Sequence, residues 1–543
     1  MAPDTPAPST LSARAYISQG SSYVFPEQQP GVLPAVPTTA VCFSGGGTRA
    51  LTAAMGQLRG LVAAGLMDKI GYISCVSGGS WASTAFTYYN SGAQNDGEFL
   101  GPVTKPGAIT MDGLGQLAPS CLGHTATQPF RNIVLGNLDD KSVPRDEVWI
   151  RAVGEVFFAP FGLYDLANPS YFSLDAATVA DIVQRNPSLA GANFQTVRAN
   201  GMDAPRPFLV VNSSLIWPVS DLRHENLVVF QYTPLAVGSP FLLKIGYKPQ
   251  LGQPIYRTVG GGLLEPFAYG CPAPAGPPDS QGLVEVAPPP APFTLTDASG
   301  TSSAAFAGIF DEVDASLSPY VNYWPVTGLG GAPTFNYAFG DGGLLENYGL
   351  ISMLQRGVRS AVVFINTEAK LSLTYSPAGP PSSSEIDDSL PGLFGVHLKE
   401  FLHTGDPYPH NQVFPAADFA TLVTALQEAK KAGKPAVALL DHTVQTNAWW
   451  GVPGGATVRV CWVYLDRVAD WESELAPDIA QAIAEGNEGL VPRGPFRDFP
   501  NYKTIGEDAL ELIQLTPQQV NLMADLTCWA VQNTPEIAQA LGS

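Results

Sequence analysis

Two glycine-rich turns, each directly after an apolar β-type run, place small residues where acyl-transfer chemistry needs them. The first reads Ala40-Val41-Cys42-Phe43-Ser44-Gly45-Gly46-Gly47-Thr48-Arg49-Ala50 and the second Tyr72-Ile73-Ser74-Cys75-Val76-Ser77-Gly78-Gly79-Ser80-Trp81. Each run has the length of a buried strand, and a helical pattern follows each turn. A serine hydroxyl becomes a nucleophile when it is exposed and set beside a base. A sharp strand-to-helix elbow does the exposing and needs small neighbours two residues away, as in G-x-S-x-G. Here those positions are Cys75, Ser77 and Gly79, with cysteine in place of the first glycine. The helix after Gly79 would aim its positive end at the developing charge. In the first turn, no side chain obstructs the amides of Gly45, Gly46 and Gly47. Gly46 and Gly47 are the expected oxyanion donors, with Gly78 assisting. Such a donor is worth about 3 kcal/mol of transition-state stabilisation.

A base is also required. None of the six histidines, His124, His224, His397, His403, His410 and His442, sits in an evident strand-end motif. Asp341, between Gly340 and Gly342, follows the apolar Phe335-to-Phe339 run and precedes a helical stretch to Arg356. Strand ends are common sites for functional groups in open α/β sheets. Asp341 could therefore take the Ser77 proton directly, without a histidine.

Each residue also has a plainer explanation. Serine and aspartate beside glycine are ordinary turn formers, and Arg49 could be a solvated surface residue. Ser44-to-Gly47 with Ala50 fits a dinucleotide-binding turn, but that motif wants an acidic residue at the end of the next strand, which instead ends Val76-Ser77-Gly78. Arg49 in the first turn of a helix opposes the helix dipole, which makes an anionic partner a reasonable expectation.

Taken in order, Ser44-Gly45-Gly46-Gly47-Thr48-Arg49-Ala50, Val76-Ser77-Gly78-Gly79-Ser80-Trp81, and Asp341-Gly342-Gly343 with Asn347 and Arg356-Gly357-Val358 resemble the cytosolic phospholipase A2 and fungal lysophospholipase (phospholipase B) family, relatives of the patatins. Phe230-to-Gly238, Phe499-to-Thr504 and the helical Gln518-to-Val531 stretch extend the similarity from about Thr39 to the end. The resemblance implies a patatin-like three-layer α/β sandwich, with a mixed central sheet, helices on both faces and inserted lid or cap segments. It implies a Ser77–Asp341 dyad, an oxyanion loop at Gly45–Gly47, Arg49 on the substrate phosphate, and no cofactor. The expected activity is release of fatty acid from phospholipids or lysophospholipids. The alternatives are a lipase, esterase or acyltransferase on another ester, or a non-catalytic lipid-binding protein of the same fold.

The elements that must position these residues can be read coarsely. Residues 1–38, rich in Pro and Ser, read as an extended arm, and 39–543 as one catalytic domain. Stretches 271–304 and 376–392 are too long for ordinary connections and read as lids or surface insertions. A helix from Thr48 to Ala64 is expected, with Leu51, Met55, Leu58 and Leu61 on one face and Gly65 as its stop. Strands are expected at Phe208–Val211, Leu227–Phe230, Ala361–Asn366, Val437–Leu440 and Val458–Leu465, and a helix at Ala416–Ala432.

Across 543 residues, 45% are hydrophobic and 14% charged, which allows a large core and excludes global disorder. A net charge of −20 argues against nucleic acid and against electrostatic adhesion to anionic membranes. Transient contact with a membrane or micelle would have to run through apolar surface. No apolar run is long enough to span a bilayer. The first residues lack the basic and apolar regions of a secretion signal, so the chain reads as soluble and cytoplasmic, or as secreted if a signal has been removed. Cys42 and Cys75 fall in predicted core strands, where a buried thiol is expected, and no Cys or His spacing suggests a metal site.

Overall fold

The computed structural model describes residues 10–18, 23–89, 96–197, 206–218, 226–247, 252–305, 315–326, 333–401, 407–488, 493–503 and 514–542. His224 and His403 lie outside these residues, as does most of the extreme N-terminus. The α/β expectation holds: a 13-stranded mixed sheet forms the centre. Its heart is a parallel group in the order Phe208–Ile216, β3 (Tyr72–Val76), β2 (Thr39–Phe43), Ser360–Ile365 and Thr457–Tyr464. Every residue of β3 is buried, as a parallel strand covered on both faces requires. Ala436–Thr443 closes one edge antiparallel. On the other side, Leu227–Tyr232, Val237–Ser239 and Gly262–Leu264 lead out to β1 (Leu11–Ile17), which pairs with Leu283–Val286 at the edge. Part of the N-terminal arm is thus a strand of the main sheet.

Helix α1 (Gly47–Ala63) leaves β2 and is buried along nearly its whole length, not only on the predicted stripe. Gly56 and Gly60, one turn apart, let the Pro517–Gln532 helix come close. A methyl on Gly56 would lie 2.1 Å from the Thr527 hydroxyl and 2.3 Å from the Ala524 carbonyl. Helix α2 (Gly78–Tyr88) follows β3 and is wholly buried. Within 271–304, a second buried helix spans Leu295–Ser302 and packs on α2. A capping box between Thr294 and Asp297 starts it. The helix expected from Asp341 to Arg356 is split. A 3₁₀ turn at Gly342–Leu344 precedes a helix at Leu350–Gln355, because Gly349 between them takes φ +73° and has no room for a side chain against Ser74 Oγ. All six cysteines are free and buried.

Candidate active site

The relation between Ser77 and Asp341 follows from strand register. On one side of the Phe208–Ile216 strand, β3 runs parallel and ends with Val76 opposite Asn212. On that same side Phe335–Asp341 runs antiparallel and ends with Asp341 opposite Ser213. Two strands thus approach head-on beside one long strand and stop at consecutive residues. The corners that follow them must meet. The Ser77 hydroxyl lies close enough to the Asp341 carboxylate to lower its pKa, so the structure brings the serine and the aspartate to facing corners.

Ser77 sits at φ +50°, ψ −127°, a strained setting for a residue with a side chain, and caps α2 without spending its hydroxyl on the helix. Gly78 and Gly79 permit the close approach: a methyl on Gly78 would lie 2.1 Å from the Gly47 carbonyl, and one on Gly79 would lie 2.7 Å from the Phe43 and Ser44 carbonyls. Cys75, the odd residue of the motif, is buried with its thiol toward the Val210 carbonyl. Burial pushes the Asp341 carboxyl up to about 6, while the Gly343 amide (2.7 Å) and the Ser77 hydroxyl pull it down. It is thus an ionised base at neutral pH with a proton affinity well above that of a free aspartate.

The glycine loop is less uniform than its sequence. Gly45 is corrected here: its amide donates to the Asn347 carbonyl (3.0 Å) and Oδ1 (3.2 Å), so it is no free donor for an oxyanion. Gly46 takes φ +133° and Gly47 φ +56°. Among the described residues no protein acceptor takes the amides of Gly47 and Gly78, and these two glycines are in contact. Arg49 is buried rather than solvated. Its Nε donates to the Asn366 carbonyl (2.9 Å) and Nη1 to the Tyr502 carbonyl (2.6 Å), with Glu368 at 3.4 Å. The guanidinium lies directly against Gly46, where a methyl would come within 2.5 Å of Nη2.

Three residues that sequence reasoning left without a role complete the arrangement. Asn347 ties the glycine loop to the turn after Asp341. Asn212, at the meeting point of the two strands, donates from its amide to Ser74 Oγ (2.9 Å) and the Cys75 carbonyl (3.1 Å). Ser302 accepts the Ser77 amide (3.0 Å) and donates to the Asn212 carbonyl (2.6 Å). The Thr294-x-x-Asp297 capping signature could have marked the helix that carries Ser302. Glu346, whose carboxyl burial pushes up to about 7, accepts the Tyr348 (2.6 Å) and Ile351 (3.1 Å) amides and fixes the chain beyond the aspartate turn. From 376–392, Asp387 accepts the Tyr348 hydroxyl, and Ser389 donates to the Tyr408 hydroxyl, which in turn donates to the Gly343 carbonyl (3.2 Å).

Of the described histidines, His442 is structural. Nδ1 pairs with Asp418 (2.8 Å) and Nε2 accepts the Trp462 indole (3.1 Å), while burial holds its pKa low. Among the described residues, no group of three or more His, Cys, Asp or Glu could hold a metal ion, and no helix is long and apolar enough to cross a membrane.

Comparison with known proteins bears on this arrangement. The chain is 39% identical over 85 residues to cytosolic phospholipase A2 zeta of Mus musculus, and 38% identical over 88 residues to cytosolic phospholipase A2 beta of Homo sapiens. The resemblance to the cytosolic phospholipases A2 stands. Each match covers 16% of this chain, and 10% and 11% of those relatives, so the matched part is about a tenth of their length. Among solved structures, human GIVD cytosolic phospholipase A2 aligns over 93% of this chain and 60% of its own, with a TM-score of 0.44 and 15% identity. No family model matches the chain.

Proposed function

We propose that this chain is a serine acyl hydrolase working through Ser77 and Asp341, with phospholipids or lysophospholipids as substrates. One observation carries the reading: a serine on a strained strand-to-helix elbow faces, across two strands that end at consecutive positions of one neighbour, a buried carboxylate whose pKa is raised to about 6. Ser77 Oγ attacks the ester carbonyl carbon while its proton passes to Asp341. The oxyanion is held by amides of the facing turns, with Gly47 and Gly78 the best-placed donors and Gly46 beside them. The tetrahedral adduct collapses, and the leaving alcohol takes the proton back from Asp341. Water then attacks the acyl-enzyme with Asp341 again as base, and fatty acid is released. The limited identity to cytosolic phospholipases A2 supports a phospholipid-type substrate.

Labelling with an alkyl fluorophosphonate tests the nucleophile. A single adduct on Ser77 in the peptide map, absent from Ser77→Ala, is expected; an unlabelled wild-type protein, or labelling that survives the substitution, would sink the proposal.

Arg49 is proposed to act in two ways, holding the oxyanion loop in place and contacting the substrate phosphate. Arg49→Ala should lower turnover of every ester by about tenfold or more, because the loop loses its anchor. A further loss on phospholipids over small neutral esters would measure the phosphate contact. Unchanged rates on both substrate classes would remove Arg49 from the site.

A further inference from the structure

The end of the Leu295–Ser302 helix touches both corners of the site through successive residues. Ser302 Oγ is inserted between the Ser77 amide and the Asn212 carbonyl, donating to the latter at 2.6 Å and accepting from the former at 3.0 Å. Ser303 Oγ accepts the indole N–H of Trp81 (3.0 Å) on the first turns of α2 and of Trp149 (3.1 Å). The Ala304 carbonyl accepts the Asp341 amide at 3.0 Å. We propose that this helix end is a positioning element for Ser77 and Asp341, with Ser302 as the residue that fixes the nucleophile's elbow.

The physical need is clear at the point where β3 leaves the sheet. Val76 is the last residue of β3 in register, so the next amide, that of Ser77, passes beyond the ladder while still buried. A buried amide demands an acceptor. A left-handed serine persists only where its surroundings over-determine it. The Ser302 hydroxyl meets both demands at once. It satisfies the Ser77 amide and anchors it to Asn212, whose neighbour Ser213 pairs with Asp341. Because Ala304 fixes the aspartate backbone from the same segment, the distance between the reacting groups is held from a third direction. None of these groups touches substrate. Their effect runs through the geometry of Ser77 and Asp341, and the inference therefore rests on the catalytic reading above.

The test pairs steady-state kinetics with the rate of fluorophosphonate labelling at Ser77. Ser302→Ala should lower kcat and the labelling rate together by about 10- to 100-fold with KM within about twofold, the pattern of a displaced nucleophile. Ser302→Thr, which keeps the hydroxyl, should recover most of both rates. Ser299→Ala removes a hydroxyl from the same helix, one bonded to Thr84 at 2.9 Å. It should lower the melting temperature but leave both rates within about twofold, because its hydroxyl bonds Thr84 and neither corner of the site. Should Ser302→Ala fail to fold, Ser302→Cys, with its weaker donor, replaces it and should move the rates in the same direction. Unchanged rates in the Ser302 variant, or equal losses in the Ser302 and Ser299 variants, would overturn the positioning role while leaving the hydrolase reading intact. A wild-type protein unlabelled at Ser77 would overturn both.

Discussion

Asp341→Asn is expected to abolish ester hydrolysis and, at neutral pH, to make the fold more stable. The two effects have one cause. Burial raises the Asp341 carboxyl to about 6, so between about pH 4 and 6 the native state holds a proton that the unfolded chain has already released. The ordinary aspartate value is about 4. As pH rises from about 4 to about 6 the unfolded state therefore gains on the native one, and above about 6 the penalty stays constant. Replacing the carboxylate by an amide removes that penalty, on the order of 1–3 kcal/mol at pH 7–8, and leaves stability below pH 4 nearly unchanged. The amide cannot accept the Ser77 proton, so kcat/KM should fall by at least about a thousandfold. In the parent protein, kcat/KM should climb through about pH 6 and level off above it. Urea titrations at pH 4 and pH 8, run beside a pH–rate profile, check both halves. A variant equally destabilised at both pH values would contradict the account of Asp341 as a buried base whose charge costs stability.

Arg356→Ala carries the largest expected cost to stability. Arg356 Nε donates to Glu27 Oε1 at 2.7 Å, and neither side chain has any exposed surface. Its guanidinium also lies 4.0 Å over the Phe25 ring and donates to Gln231 at 2.8 Å. Truncation would leave the Glu27 carboxylate buried with no cation, which costs about 3–5 kcal/mol. Replacing both partners, as Arg356→Met with Glu27→Leu, should recover most of that loss, because two apolar groups leave no uncompensated charge. A double variant no more stable than Arg356→Ala would show that packing, not charge, is what Arg356 provides. The same arginine starts a buried polar chain. Gln231 donates to Ser352 (3.0 Å), Ser352 to Asn212 Oδ1, and Asn212 to the Cys75 carbonyl (3.1 Å), two residues before Ser77. Arg356→Ala should therefore also slow turnover at temperatures where it remains folded.

The parts of the site that were legible in the sequence are those written locally. Apolar runs ending in glycine and serine marked β2, β3 and the corners after them, and the helical periodicities at Thr48–Ala64 and Ala416–Ala432 matched helices at Gly47–Ala63 and Ala416–Lys431. What stayed hidden depends on contacts between distant segments. The resemblance included Gly45 in the oxyanion loop, but Asn347, about three hundred residues on, takes its amide. Ser302 lies in Leu-Thr-Asp-Ala-Ser-Gly-Thr-Ser, a run of mostly poor helix formers just after a proline-rich stretch. Burial against α2 overrides that propensity, and only the capping box announces the helix. Arg49 could be read as facing solvent or a phosphate because its partners, the Asn366 and Tyr502 carbonyls, are backbone atoms that no sequence pattern advertises.

Since the candidate nucleophile and base hang from neighbouring peptide units of the Phe208–Ile216 strand, hydrogen-bond register sets their approach before any side chain adjusts it. Surface loops can be rebuilt, lengthened or exchanged without altering that register. A single-residue deletion inside that strand, by contrast, would flip its side chains and shift both corners at once. That strand, in the floor of the sheet, is therefore the position where one deletion reaches both corners.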